Sequence, residues 1–305
     1  MKKLLLIILL IVFVFNVNSQ TNEAKTFFNS GQEKYSQGDF KGAIDEFSQA
    51  IFLSPNDAII YYNRGIAKVR YGDYYGAIRD YSKAIEINPN FGEAYNNRGI
   101  AKGLAGDRKG SVKDYMKSIK LNPEFAKAYY NKGNAEYALR KISKAIDSYN
   151  QAIKLKMDYA EAYVNRGNAK LELKDRHGAI ADWSRAIELN PKFIIAYNNR
   201  GYVKSELGDT LGAMEDFNKA IELNSLFVDA YFNRGITRMK LGQNKEAIED
   251  LNKSIDFNPM DGEAYFYRGE AKHNMGDRSG ACSDWAKSNE LRYNNAILLI
   301  NKHCK

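Results

Sequence analysis

Apolar and small residues recur at helical spacing in short blocks, and the blocks themselves recur. Over 93–104, Ala94, Tyr95, Gly99 and Ala101 share one helix face, with polar residues between them. Most copies are then punctuated by Gly-Asp, such as Gly106-Asp107 and Gly208-Asp209. Glycine takes the left-handed turn that stops one helix, and aspartate caps the start of the next. The stretch "KGSVKDYMKSIKL" follows and stops at Asn122-Pro123, because the residue before proline avoids helical angles. The pattern therefore predicts two helices per block, the first over about 93–104.

The blocks keep a period of 34. Gly31, Gly65, Gly99, Gly133, Gly167, Gly201, Gly235 and Gly269 form one column. An aromatic stands four residues before each, from Phe27 to Tyr265. Alanine or serine stands twelve after, and an aromatic or leucine four beyond that. All five prolines share a column. Two helices of this length cannot bury their faces alone, whereas stacked copies can, so the chain reads as a solenoid.

The aromatic, Gly, Ala, aromatic, Ala and Pro at these spacings resemble the tetratricopeptide repeat over about 22–292. The resemblance implies an all-α, right-handed α-α superhelix of about eight 34-residue helix-turn-helix repeats. It also implies a concave groove lined by the first helix of each pair, and a protein or peptide partner. The expected organisation is a signal peptide over 1–19, eight tandem repeats over 20–292 and a C-terminal capping helix over 293–305.

One column departs from the family, which usually has leucine before the small residue. Here it reads Ser30, Arg64, Arg98, Lys132, Arg166, Arg200, Arg234 and Arg268. Sixteen residues later stand Glu46, Asp80, Asp114, Ser148, Asp182, Asp216, Asp250 and Asp284, and every copy with Arg has Asp. An arginine on a packing face needs an acceptor, and its planar fork suits a carboxylate on the partner helix. The paired columns predict a structural ion pair inside each repeat. Lys68, Lys102, Lys170, Lys204 and Lys272 form a further column, read as solvated charges spanning neighbouring helices.

Before the arginine stand Asn63, Asn97, Asn131, Asn165, Asn199 and Asn233. Asparagine is a poor helix former, so its repetition needs a reason. Its amide matches the donors and acceptors of a peptide backbone. The column resembles the asparagine ladder lining the superhelix of O-GlcNAc transferases. The other reading is a bond to a neighbouring helix. Tyr62, Tyr130, Phe232 and Phe266 add candidate binding anchors one residue earlier, and some of that column is expected to pack between repeats. Lys127 is offset by Glu93, Glu161, Asp229 and Glu263. The groove therefore lacks the basic run of a carboxylate clamp or a nucleic-acid channel.

Composition adds a compartment. Lys2-Lys3, an apolar run from Leu4 to Phe15 and small Ser19 before Gln20 read as an export signal. Twelve residues span about 18 Å as a helix, too short for a bilayer core of about 30 Å. The expected location is periplasmic or secreted, with no membrane span in the mature chain. The formal charge of +8 is mildly basic. An exported chain permits a disulfide between its only cysteines, Cys282 and Cys304; free thiols or a metal site with His303 are the alternatives. His177 and His273 read as isolated surface residues. No nucleophile elbow, phosphate loop or zinc-protease helix is present, and no cofactor or metal is expected. The sequence thus predicts a non-enzymatic adaptor. A structural envelope component and a glycan-binding or enzymatic protein are the other classes.

Overall fold

The computed structural model describes residues 22–304, so the expected signal peptide lies outside the described residues. The chain divides between Met157 and Asp158 into two compact units. In unit 1 the helices are α1 (22–36), α2 (Phe40–Leu53), α3 (Ala58–Tyr71), α4 (Tyr74–Ile87), α5 (Gly92–Leu104), α6 (Arg108–Leu121), α7 (Ala126–Ala138) and α8 (Ile142–Leu155). Unit 2 holds α9 (Ala160–Glu172), α10 (Arg176–Leu189), α11 (Ile194–Glu206), α12 (Thr210–Leu223), α13 (Val228–Lys240), α14 (Asn244–Phe257), α15 (Gly262–Asn274), α16 (Arg278–Glu290) and α17 (Ala296–His303). Among the described residues there is no strand, and no helix is long and apolar enough to cross a membrane. The fold class is the all-α tandem helix-pair repeat that the period of 34 predicts.

Each pair is built the same way. Asp73 caps α4 by accepting from the Gly76 N–H at 2.8 Å, and Asp39, Asp107, Asp175, Asp209 and Asp277 cap their helices likewise. Gly72 before the first of these takes φ 92°, which glycine adopts without steric cost. The same position is Arg140 in the fourth repeat and Lys174 in the fifth, at φ 61° and 64°. Inside the pair, a Cβ on Gly99 would lie 2.6 Å from the Tyr115 ring. The repeated glycine therefore admits the large second-helix side chain. That side chain is fully buried as Tyr81, Tyr149, Trp183, Phe217 and Trp285, against alanines with no exposed surface.

Unit 2 ends in α17, which packs on α16. Ala296 is buried with Ala281 and Trp285. Cys282 and Cys304 are joined by a disulfide with Cα atoms 5.7 Å apart. Their sulfurs are thus not thiolate metal ligands. His273 is not isolated: its ring lies 4.4 Å from that of His303 and 5.6 Å from Trp285. The sequence hid this because α17 carries its own histidine back onto α15.

Candidate functional site

The arginines fix the frame on which the site is built. Arg98 Nε and Nη2 donate to Asp114 Oδ2 and Oδ1 at 2.8 and 2.7 Å. Arg64–Asp80, Arg166–Asp182, Arg200–Asp216, Arg234–Asp250 and Arg268–Asp284 repeat this fork. Each aspartate is buried, so the cation offsets a large desolvation cost. The guanidinium also lies over the tyrosine three residues earlier, as Arg98 does over Tyr95 at 5.4 Å.

Two features of this network escaped the sequence. First, the lysine column is not a set of solvated charges. Lys68, Lys102, Lys170, Lys204 and Lys272 pair at 2.8–2.9 Å with the same aspartates. The reason is spare acceptor capacity: Oδ2 takes the arginine Nε and still faces the lysine one turn along the first helix. Second, the arginine has a third limb. Arg98 Nη1 donates to Ser82 Oγ in the preceding repeat at 3.1 Å, and Arg64, Arg200, Arg234 and Arg268 reach Ser48, Ser184, Asn218 and Asn252. Each of these arginines therefore ties its own repeat to the one before it.

The asparagines also bond within the chain. Asn131 Nδ2 donates to Asn96 Oδ1, Asn96 to Asn97 Oδ1, and Asn97 to the Tyr62 hydroxyl, at 2.9, 3.1 and 2.9 Å. Unit 2 repeats the relay through Asn233, Asn198, Asn199 and Asn168. Asn63 instead donates to Ile59 O of its own helix. Asn97, Asn131, Asn199 and Asn233 thus each bond to a neighbouring first helix, as one of the two readings of the column has it. Asn96 and Asn198, which carry the relay, are buried. The sequence placed them one residue before the ladder and gave no sign of their role.

Between the first helices of unit 1 lies a cavity of about 540 Å³. It brings together Tyr62, Ile66, Ile100, Asn96, Asn97 and Phe125, with Arg70, Glu93 and Lys127 around them. In unit 2 a cavity of about 400 Å³ occupies the matching register, lined by Tyr202, Phe232, Asn233, Ile236 and Tyr267, with Glu206, Lys240 and Glu263. Tyr62, Asn97, Phe232 and Asn233 of the predicted groove residues thus line cavities. Tyr130 lies against Tyr149, and Phe266 against Tyr293, as inter-helix packing. Burial, and then the Glu93 carboxylate, push the Tyr62 hydroxyl up, against the opposing pull of the N–H that Asn97 donates to its oxygen. Burial and then Asp261 hold Glu263 above the usual carboxylate range.

Stacked helix pairs with this glycine–aromatic interlock define a helical-repeat protein. The chain belongs to the tetratricopeptide repeat family: models described as TPR repeat match 31–72, 133–174 and 237–276, and others described as tetratricopeptide repeat match 58–91, 92–125, 160–193, 194–225 and 217–249. No curated protein matches the chain. Among solved structures it is similar to MamA, at 30% identity and TM-score 0.50 over 53% of this chain and 94% of that one. It is also similar to YrrB, described as a TPR protein with an unusual peptide-binding site, at 26% identity and TM-score 0.52 over 59% and 92%. A tetratricopeptide repeat protein from Parabacteroides merdae shares the fold at 19% identity and TM-score 0.58 over 79% and 95%.

Proposed function

We propose that this protein is a non-enzymatic interaction scaffold whose first-helix faces hold extended segments of another protein. The observation that carries this reading is the recurrence of one wall in both units. Tyr62 and Ile66 in one, and Phe232 and Ile236 in the other, stand beside amides already fixed by their relay. Fixed amides cost a ligand little ordering entropy, and the apolar side chains supply anchors. Asn97 and Asn131 each donate one of their two N–H groups to the relay, leaving capacity for a peptide carbonyl. The similarity to YrrB supports a peptide ligand. Export to a periplasm or beyond the cell is part of the proposal, and the Cys282–Cys304 disulfide supports an oxidising compartment.

Selection from a displayed library of random peptides tests the groove. Peptides captured by the native protein should lose at least about tenfold in affinity against Ile66→Glu/Ile100→Glu, because a desolvated charge would face the anchor. Equal affinity for both proteins would remove the groove from the function.

A further inference from the structure

The second helices carry a surface that the groove does not use. Ten, fourteen, seventeen and twenty-one residues after each repeated glycine, four positions fall on one narrow, solvent-facing stripe of the second helix. On α6 the stripe is Lys109, Lys113, Met116 and Lys120, all exposed. The two sides of these positions differ by unit. In unit 1 the stripe cations are Lys41, Arg79, Lys109, Lys113, Lys120 and Lys154, against Asp45, Glu86 and Asp147. In unit 2, Lys245 stands against Glu188, Glu215, Glu222, Glu249, Asp256 and Glu290.

The repeat register shows where the reversal sits. At the last stripe position a carboxylate closes an i,i+3 ion pair in Lys83–Glu86, Arg185–Glu188, Lys219–Glu222 and Lys287–Glu290. Lys120 and Lys154 replace that carboxylate in two consecutive repeats. The one carboxylate of α6, Asp114, is buried with Arg98 and Lys102 and neutralises none of the stripe. Interleaved with these cations on the same side of unit 1 are large apolar tips. Phe52 is 82% exposed, Tyr75 67% and Met116 56%.

We propose that the second-helix side of unit 1 docks onto the surface of an anionic phospholipid bilayer, with its lysines over the headgroups and Phe52, Tyr75 and Met116 in the interface. Lysine-rich faces with interspersed apolar side chains are suited to this boundary, where the stem lies along apolar surface and the ammonium meets phosphate. Lysines as point charges match a fluid array of headgroups, which presents no fixed bidentate geometry. Met116, an exposed apolar tip set among Lys109, Lys113 and Lys120, suits a bilayer interface and offers no ring for a nucleic-acid base. The inference is independent of the groove reading, because it uses the other helix of each pair.

Vesicle co-sedimentation tests it, using the protein from Gln20 onward, which keeps every described helix. Vesicles of equal parts phosphatidylglycerol and phosphatidylcholine should bind it, and pure phosphatidylcholine should not. Lys109→Gln/Lys113→Gln/Lys120→Gln should weaken partitioning about 100-fold, at roughly a factor of five for each cation near the surface. Phe52→Ser/Tyr75→Ser should weaken it less and leave the salt dependence unchanged. Glu222→Gln in unit 2 should alter neither. Unchanged circular dichroism melts would show that the variants are folded. Equal binding to both vesicle types, an unaffected triple-glutamine variant, or capture of a DNA duplex without vesicle binding would each overturn the proposal.

Discussion

In the third repeat, Arg98 and Lys102 of α5 share Asp114 on α6. In the fourth, the acid has changed helix: Glu136 stands on α7 itself, pairs with Lys132 at 3.0 Å and accepts from the Ser148 hydroxyl of α8 at 2.6 Å. Lys132 also donates to Ser148, at 2.9 Å. Both arrangements satisfy a buried carboxylate, and Glu136 is only 3% exposed. They differ in what they hold together. The arginine fork joins the two helices directly and keeps a third limb for the preceding repeat, which a lysine lacks. Met116 accordingly stands where Ser82 receives the Arg98 limb, and it is left exposed. The fourth repeat also replaces Gly106-Asp107 with Arg140-Lys141, and α8 has no side-chain cap. Local deviations therefore accumulate in the last repeat before the division at Met157.

The comparison can be broken at several points. The largest expected effect is Asp114→Ala, which strands Arg98 and Lys102, 18% and 22% exposed, without a carboxylate. It should lower stability in urea by about 3 kcal/mol, and a loss below about 1 kcal/mol would mean that the fork contributes little. Glu136→Gln should cost less, about 2 kcal/mol, because the amide oxygen can still accept from Lys132 while the amide nitrogen donates to the Ser148 hydroxyl. Exchanging the whole set, as Lys132→Arg/Glu136→Lys/Ser148→Asp, should return stability to within about 1 kcal/mol of the native protein. Each single change should cost more than the triple, and additive losses would show that the set is not coupled. The smallest effect is a gain: Arg140→Gly should stabilise by about 1 kcal/mol by relieving a left-handed non-glycine residue, whereas Gly106→Arg should lose a similar amount.

Much of the frame was legible. The glycine and aromatic columns were legible from their spacing, but that the Tyr115 ring sits where a Gly99 Cβ would be came only with the packed helix pair. The Arg–Asp fork was legible because its two columns change together. Lys102 was misread because column spacing shows that a lysine is on the helix, not that an acceptor already bound by arginine has room for it. The asparagine column had two consistent readings. That Asn97 reaches the Tyr62 hydroxyl across a repeat boundary came only with the packed helices.

The sequence by itself determined the helix pair, its period and the partner of each arginine. All three follow from steric and charge complementarity between positions a constant distance apart along the chain. Only the tertiary structure decided where the remaining hydrogen bonds go: the lysine's share of the aspartate, the arginine's third limb, the amide relay and the meeting of His273 with His303. Those contacts depend on how a second and third helix approach, and a side chain with several donors does not announce in one dimension which neighbour it will choose.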